Sequence, residues 1–178
     1  MNPVRCMSQT KSALMDLLKA VDKEIPPECM ITLVGAGDTA LVLLDMKAPG
    51  IHLDFTGPEQ DIAVFNRVGV TLPPRGFQVH TWDNGMVFGL QLPDDYLRTS
   101  LPVNAGLARI DLRALNPLDI VVTRIEKLTE SDMRDIKTCI RQFKLGKNQI
   151  SKRARALQHV GNESKFERNL EYVLGLYA

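Results

Sequence analysis

Two short segments hold the residues best placed for chemistry. The first is Gly35-Ala36-Gly37-Asp38, which follows the apolar run Met30–Val34. A glycine turn after a strand lets backbone N–H groups approach a phosphate, with the positive end of the next helix behind them. The second is His52-Leu53-Asp54. Its polar side chains stand at i and i+2, so on a strand they share one face. Two carboxylates at that spacing can hold Mg2+ against a triphosphate. Here one of the two is an imidazole. The plainer alternatives are a glycine turn that only shapes the backbone, an ordinary surface or half-buried His52, and an Asp54 that serves as a cap or surface charge.

The elements around these segments follow from periodicity and punctuation. Ser8–Asp22 reads as an amphipathic helix, with Leu14, Leu17, Leu18 and Val21 at steps of three and four. Pro26-Pro27 stops it. Met30–Val34 is a buried strand, and Thr39–Leu44 a short helix. Ile51–Phe55 alternates as a half-buried strand does, and Pro58–Arg67 is a helix with proline in its first turn. Phe77–Trp82 and Met86–Leu92 flank Asp83-Asn84-Gly85, a strong hairpin signal. Pro93–Tyr96 opens a short helix. Ala108–Leu115 has the cleanest strand alternation. Helices follow: Leu118–Leu128, then one with Met133, Ile136, Ile140 and Phe143 on one face, then one carrying Phe166, Leu170, Val173, Leu174 and Tyr177. Thr129 with Asp132 makes a variant capping box, and Ser164 with Glu167 is placed to cap the last helix. This order predicts an α/β (α+β) fold, a mixed sheet of about five strands flanked by helices. The expected arrangement is a core over residues 1–120 with a helical appendage over 121–178, packed as one compact domain.

Composition narrows the function. With 44% hydrophobic and 24% charged residues among 178, the chain is an ordinary globular protein able to bury its own core. The net charge of +1 gives no global attraction to nucleic acid or membrane. The charge is uneven, however. Residues 1–120 hold 10 Lys+Arg against 14 Asp+Glu, and residues 121–178 hold 12 against 7. A basic C-terminal third can face a phosphate-bearing partner, or be a set of solvated helix faces. Cys6, Cys29 and Cys139 are scattered, which argues against a disulfide framework and against a zinc site of known spacing. Free thiols, no membrane-length apolar run and no secretory leader lead to the expectation of a cytoplasmic protein. With 6% aromatic residues there is no evident stacking platform for single-stranded bases.

Taken together, the ordered segments resemble the nucleotidyltransferase-like superfamily, in particular small bacterial and archaeal members of uncharacterised or toxin–antitoxin type. In that family a strand ends in Gly-Gly or Gly-Ser, and an acidic-x-acidic pair follows on the next strand. The matching positions are Gly35 or Gly37, then His52-Leu53-Asp54. Further on, Leu92-Pro93-Asp94-Asp95-Tyr96-Leu97-Arg98 is similar to segments following the family's third sheet strand. Leu115-Asn116-Pro117-Leu118-Asp119-Ile120, Arg124-Ile125 and Asp132-Met133-Arg134-Asp135-Ile136 are similar to its later motifs, with Arg124 where the family usually has Lys. The likeness spans most of residues 31–143.

The resemblance implies a nucleotidyltransferase-like fold and a set of roles. Asp54, His52 and Asp111 are the candidate catalytic residues, with Asp54 the ligand of a Mg2+ ion. Gly35, Gly37, Asp38 and Arg124 are the candidate nucleotide-binding residues. An NTP would be the donor, and the basic C-terminal helices would position an RNA or protein acceptor. Three positions depart from the family pattern. His52 stands at the first acidic position, and histidine is a poor partner for a hard cation. The third carboxylate has only Gln91 at the usual place, which leaves Asp111 on another strand. Asp38 sets a negative charge where a phosphate would approach. Two functions therefore stand open: nucleotidyl transfer to an unknown acceptor, or a catalytically inactive member acting as a binding or regulatory module. His80, His159, Arg98 and Lys127 read as structural or ion-paired residues.

Overall fold

The structure, a computed structural model, describes residues 10–73, 75–159 and 163–177. Cys6 and the first residues of the helix expected from Ser8 lie outside them. Helix α1 spans Lys11–Glu24. The Thr10 side chain accepts from the Ala13 N–H and caps it, and Leu14, Leu17, Leu18 and Val21 are buried as their spacing predicts. Strand β1 (Ile31–Gly35) runs into α2 (Gly37–Leu43), which returns to β2 (His52–Gly57). Helix α3 (Glu59–Gly69) then leads to β3 (Gln78–Asp83). Two very short strands follow, β4 (Met86–Val87) and β5 (Leu90–Gln91), then α4 (Tyr96–Thr99), β6 (Leu101–Pro102) and β7 (Ile110–Ala114). The C-terminal part holds α5 (Pro117–Arg124), α6 (Glu130–Phe143), α7 (Lys147–Arg155), β8 (Gln158–His159), α8 (Glu163–Leu174) and a final 3-10 turn.

Five strands form the mixed main sheet in the order β3-β2-β1-β7-β6. β1 is antiparallel to β2 and parallel to β7, and β2 is parallel to β3. The α/β expectation holds, but the strand set differs from the one predicted. Asn84 and Gly85 adopt the positive φ angles of a hairpin turn, 52° and 80°. Their flanking strands nevertheless do not pair. The turn is tied to β2 instead: the Asn84 N–H donates to the Gly57 carbonyl, and the Gly85 N–H to the Thr56 hydroxyl. Met86–Leu92 folds on itself through a second positive-φ pair, Phe88-Gly89. β5 then pairs with β8, making a small sheet of order β4-β5-β8.

Other boundaries shift for local reasons. α5 stops at Arg124 rather than Leu128, whose φ of 49° is left-handed. α8 begins at Glu163, so Ser164 is its second residue and not its cap. Lys147–Arg155, which has little apolar content, forms a helix held by Ile150 and Ala154 in the core. The Thr129–Asp132 capping box forms as expected.

Buried residues from α1 through α8 make one continuous apolar cluster. Two carboxylates fasten the layers. Asp22 on α1 accepts from the backbone N–H groups of Ala108, Arg109 and Ile110, which sets the start of β7. Asp119, fully buried on α5, accepts from Arg153 of α7 through two nitrogens and from the Asn116 amide. Arg153 also reaches Asp95 at 2.6 Å. Removing one partner of a buried ion pair strands the other, at a cost of roughly 3–5 kcal/mol. Arg153→Met is therefore expected to lower unfolding free energy by about that amount in urea titrations. Asp119→Leu combined with Arg153→Met should recover much of the loss, because no charge is then left buried.

Candidate functional site

The β1–α2 junction and β2 come together through backbone geometry. The register pairs Gly35 with Phe55. The next N–H along, that of Ala36, donates to the Asp54 carbonyl at 2.9 Å, and the Asp54 N–H donates to the Thr39 hydroxyl at 2.8 Å. Gly35 and Asp54 thus lie on adjacent hydrogen-bonded strands. Both glycines sit where a side chain would crowd a neighbouring one. A Cβ on Gly35 would come within 2.6 Å of Leu43. Gly37 has φ of 53°, and a Cβ there would come within 2.8 Å of the Phe88 ring. Phe88 lies against the face of the turn that was expected to receive a phosphate.

Strand parity puts His52, Asp54 and Thr56 on one face of the sheet, level with Gln78, His80 and Trp82 of β3. His52 is exposed, while Asp54 is buried, at 8% exposure, as is Thr56. The Asp54 Oδ1 lies 3.6 Å from His80 Nδ1. A row of rings runs past it: His52 to His80 at 5.5 Å, His80 to Trp82 at 6.3 Å, Trp82 to Phe88 at 4.9 Å between centroids. No side-chain hydrogen bond to the Asp54 carboxylate is present among the described residues. Burial pushes its pKa above the usual carboxylate value, and the nearby imidazole of His80 offsets this only in part.

The opposite wall is an ion network centred on Arg124. Its guanidinium, 9% exposed, bonds Asp38 at 2.6 Å and Asp132 at 3.0 Å, and lies 3.0 Å from Asp135. Lys47 bridges Asp38 and Asp135, each at 3.1 Å. Burial alone would raise the Asp38 carboxyl, but the hydrogen bond and charge of Arg124, with Lys47 beside it, hold it below its usual value. The Arg124 guanidinium is held above its own usual value by Asp38, Asp135 and Asp132, which outweigh its burial. Asp38 and Arg124, both expected to bind nucleotide, bind each other.

Between these walls lies a cleft of about 200 Å³ whose lining includes Gly37, Asp54, Phe88, Arg124, Glu126 and Lys127. No family model matches this chain, and no curated protein or solved structure matches it. The cleft brings Asp54, Gly37, Asp38 and Arg124 together, with Gly35 one step behind. His52 is close by, at the exposed end of β2. Asp111 is not part of the site. It pairs with Thr32, while Asp54 lies level with Ala36, so the two are offset by four residues, about 13 Å along the strands, with β1 between them. Its carboxylate pairs with Arg113 on its own strand. Gln91 is also elsewhere, donating to the Asn84 carbonyl.

Mg2+ takes near-octahedral oxygen ligands. The Asp54 surroundings do not fit it, because the nearest partner is imidazole nitrogen and the next carboxylate, Asp38, is committed to Arg124 and Lys47. Among the described residues no group of three or more His, Cys, Asp or Glu could hold a metal ion. From the sequence His80 reads as an isolated structural or ion-paired residue, since the segment that carries it is assigned a hairpin partner. Parallel pairing with β2 is what sets His80 opposite Asp54.

The two aspartates should respond oppositely to substitution. The folded-state pKa of Asp54 is raised, so its ionised form destabilises the fold at pH above that value. Asp54→Asn is expected to gain about 1 kcal/mol at pH 7, a rise of roughly 2–4 °C in Tm, with the gain vanishing below pH ~4 where wild type is protonated. Asp38 has a depressed pKa, so Asp38→Asn should lose stability at pH 7. That loss should shrink as the pH falls through the lowered value, below the usual carboxylate range near 4. Thermal melts of both variants at pH 7 and pH 3 test the signs.

Proposed function

We propose that this chain is a nucleotidyltransferase-like protein that acts as a binding or regulatory module, of the toxin–antitoxin type, and not as a nucleotidyl transferase. The observation that carries this reading is the company Asp54 keeps. Metal-assisted nucleotidyl transfer needs carboxylate oxygens clustered around the cations that neutralise the triphosphate. Asp54 faces His80 and His52 instead, and Arg124, which would otherwise meet phosphate, is already neutralised by Asp38, Asp132 and Asp135. The cleft lining holds four carboxylates, those of Asp38, Asp54, Glu126 and Asp132, against the cations Arg124 and Lys127. That balance favours a positively charged group of a partner over a triphosphate.

A second reading, active transfer from an NTP to an RNA or protein acceptor, is favoured by one geometric fact. Gly35 and Asp54 lie on adjacent strands, joined through the Ala36 and Thr39 hydrogen bonds, the arrangement the family resemblance implies. Calorimetry with ATP, GTP, CTP and UTP, with and without Mg2+ or Mn2+, on wild type and Asp54→Ala, separates the two. The expected result is no divalent-dependent nucleotide binding in either protein. Metal-dependent binding that is lost in Asp54→Ala would overturn the module reading and establish a working site.

A further inference from the structure

Between Asp135 and Glu163 the sequence contains no carboxylate, yet it contains seven lysines and arginines. α7 sits inside that stretch and carries Lys147, Lys152, Arg153 and Arg155. Helix stability accounts for only part of this composition: Lys152, Arg153 and Arg155 stand in the last turn, where cations suit the helix dipole. With no acid in the helix, there is no opposite-charge pair at i,i+4 to support it. Lys147 stands at its first position, on the positive end of the helix dipole.

One of the four cations has a structural task. Arg153 turns inward to Asp119 and Asp95, next to the fully buried Ile150 and Ala154. This clamp fixes the rotation of α7 about its axis. Asn148, Ser151, Lys152 and Arg155 then line a shallow groove on another face. Their spacing, i, i+3, i+4 and i+7, is one helix face. Lys147, Lys152 and Arg155 are exposed, and among the described residues none has an acidic partner. An amide, a hydroxyl and cations on a rigid face are the groups that contact phosphodiester oxygens.

We propose that the outer face of α7 binds the phosphate backbone of a nucleic acid, by charge and without reading sequence. This does not depend on what the cleft binds. The nine residues of α7 span about 14 Å, enough for three side chains to meet successive phosphates of one strand. The near-zero net charge of the whole chain does not oppose this, because the contact is local and Lys137, Arg141 and Lys144 extend the positive stretch before α7.

The test is fluorescence anisotropy with the full chain and labelled 20-mers of single-stranded RNA, single-stranded DNA and both duplexes, over ~50–200 mM KCl. The expected result is binding to at least one probe, with log affinity falling against log salt at a slope of about 2 or steeper, as ~0.7–0.9 per phosphate contact requires. The triple variant Lys147→Gln, Lys152→Gln, Arg155→Gln should weaken binding at least ~10-fold at low salt and flatten the slope by about 2. Replacing both lysines by arginine should preserve binding. Lys19→Gln with Lys23→Gln on α1 should leave it unchanged. The ranking of the four probes identifies which nucleic acid supplies the phosphates. The proposal is wrong if no probe binds at the lowest salt, if the triple variant keeps wild-type affinity and slope, or if the α1 variant loses as much. Binding of polyglutamate but of no nucleic acid would also overturn it, in favour of an acidic protein.

Discussion

The buried guanidinium of Arg124 is the interaction on which the cleft depends. It projects from the last turn of α5 and reaches one carboxylate on α2 and two on α6. A buried charge is tolerable only when its neighbours neutralise it and accept its hydrogen bonds. Asp132 meets the demand while also closing the capping box with Thr129, so the N-terminus of α6 and the position of Arg124 are set by the same carboxylate. Asp38 meets it from the first turn of α2, where negative charge also suits the helix dipole. Lys47 completes the ring. Three helices are thereby held at fixed separation, and the floor of the cleft, with Asp54 on it, is held in the same arrangement.

Asp54 stands in contrast to that economy. Asp22, Asp38, Asp119, Asp132 and Asp135 each have a backbone N–H, a guanidinium or an ammonium within hydrogen-bond reach. Asp54 is nearly as buried as Arg124 and has only an imidazole at 3.6 Å. Natural chains tolerate such local conflict chiefly where something other than stability is served. The carboxylate is thus the residue in the cleft that packing explains least. Phe88 lines the cleft and supplies an apolar surface beside the charge, with Trp82 packed edge to face against it.

Much of this was legible in the sequence. Leu14, Leu17, Leu18 and Val21 gave α1 by spacing, Ile110, Leu112 and Ala114 gave β7 by alternation, and Thr129 with Asp132 gave the start of α6. The glycine turn and Asp54 stand out in the sequence as candidates for one site, and they lie on adjacent strands. Other features were not legible. A positive-φ turn at Asn84-Gly85 signals a hairpin, but local chemistry cannot say that β2 will claim the turn's N–H groups first. The non-local pairing of His80 with Asp54 was lost with it. Phe88-Gly89 makes a second tight turn with a bulky residue at positive φ, which propensity argues against. Asp111 failed as a site residue because alternation gives the face of a strand and not its position along the sheet. Arg124 was recognised as important, yet its three partners come from helices whose packing angle no local pattern encodes.

The pairing of β5 with β8 has a bearing on the order in which this molecule can be completed. Leu90 is matched to His159, far along the chain, and the Phe88 turn that closes over Gly37 belongs to that small sheet. Chains are made from the N-terminus, and the strands of the main sheet are all present once Ala114 has emerged. The Phe88 turn still lacks its outer partner at that stage. It gains one only after α6 and α7 have been made and Gln158 and His159 follow. The Phe88 side of the cleft is therefore among the last parts to be secured, and a chain truncated before β8 would present the turn over Gly37 without the strand that backs it.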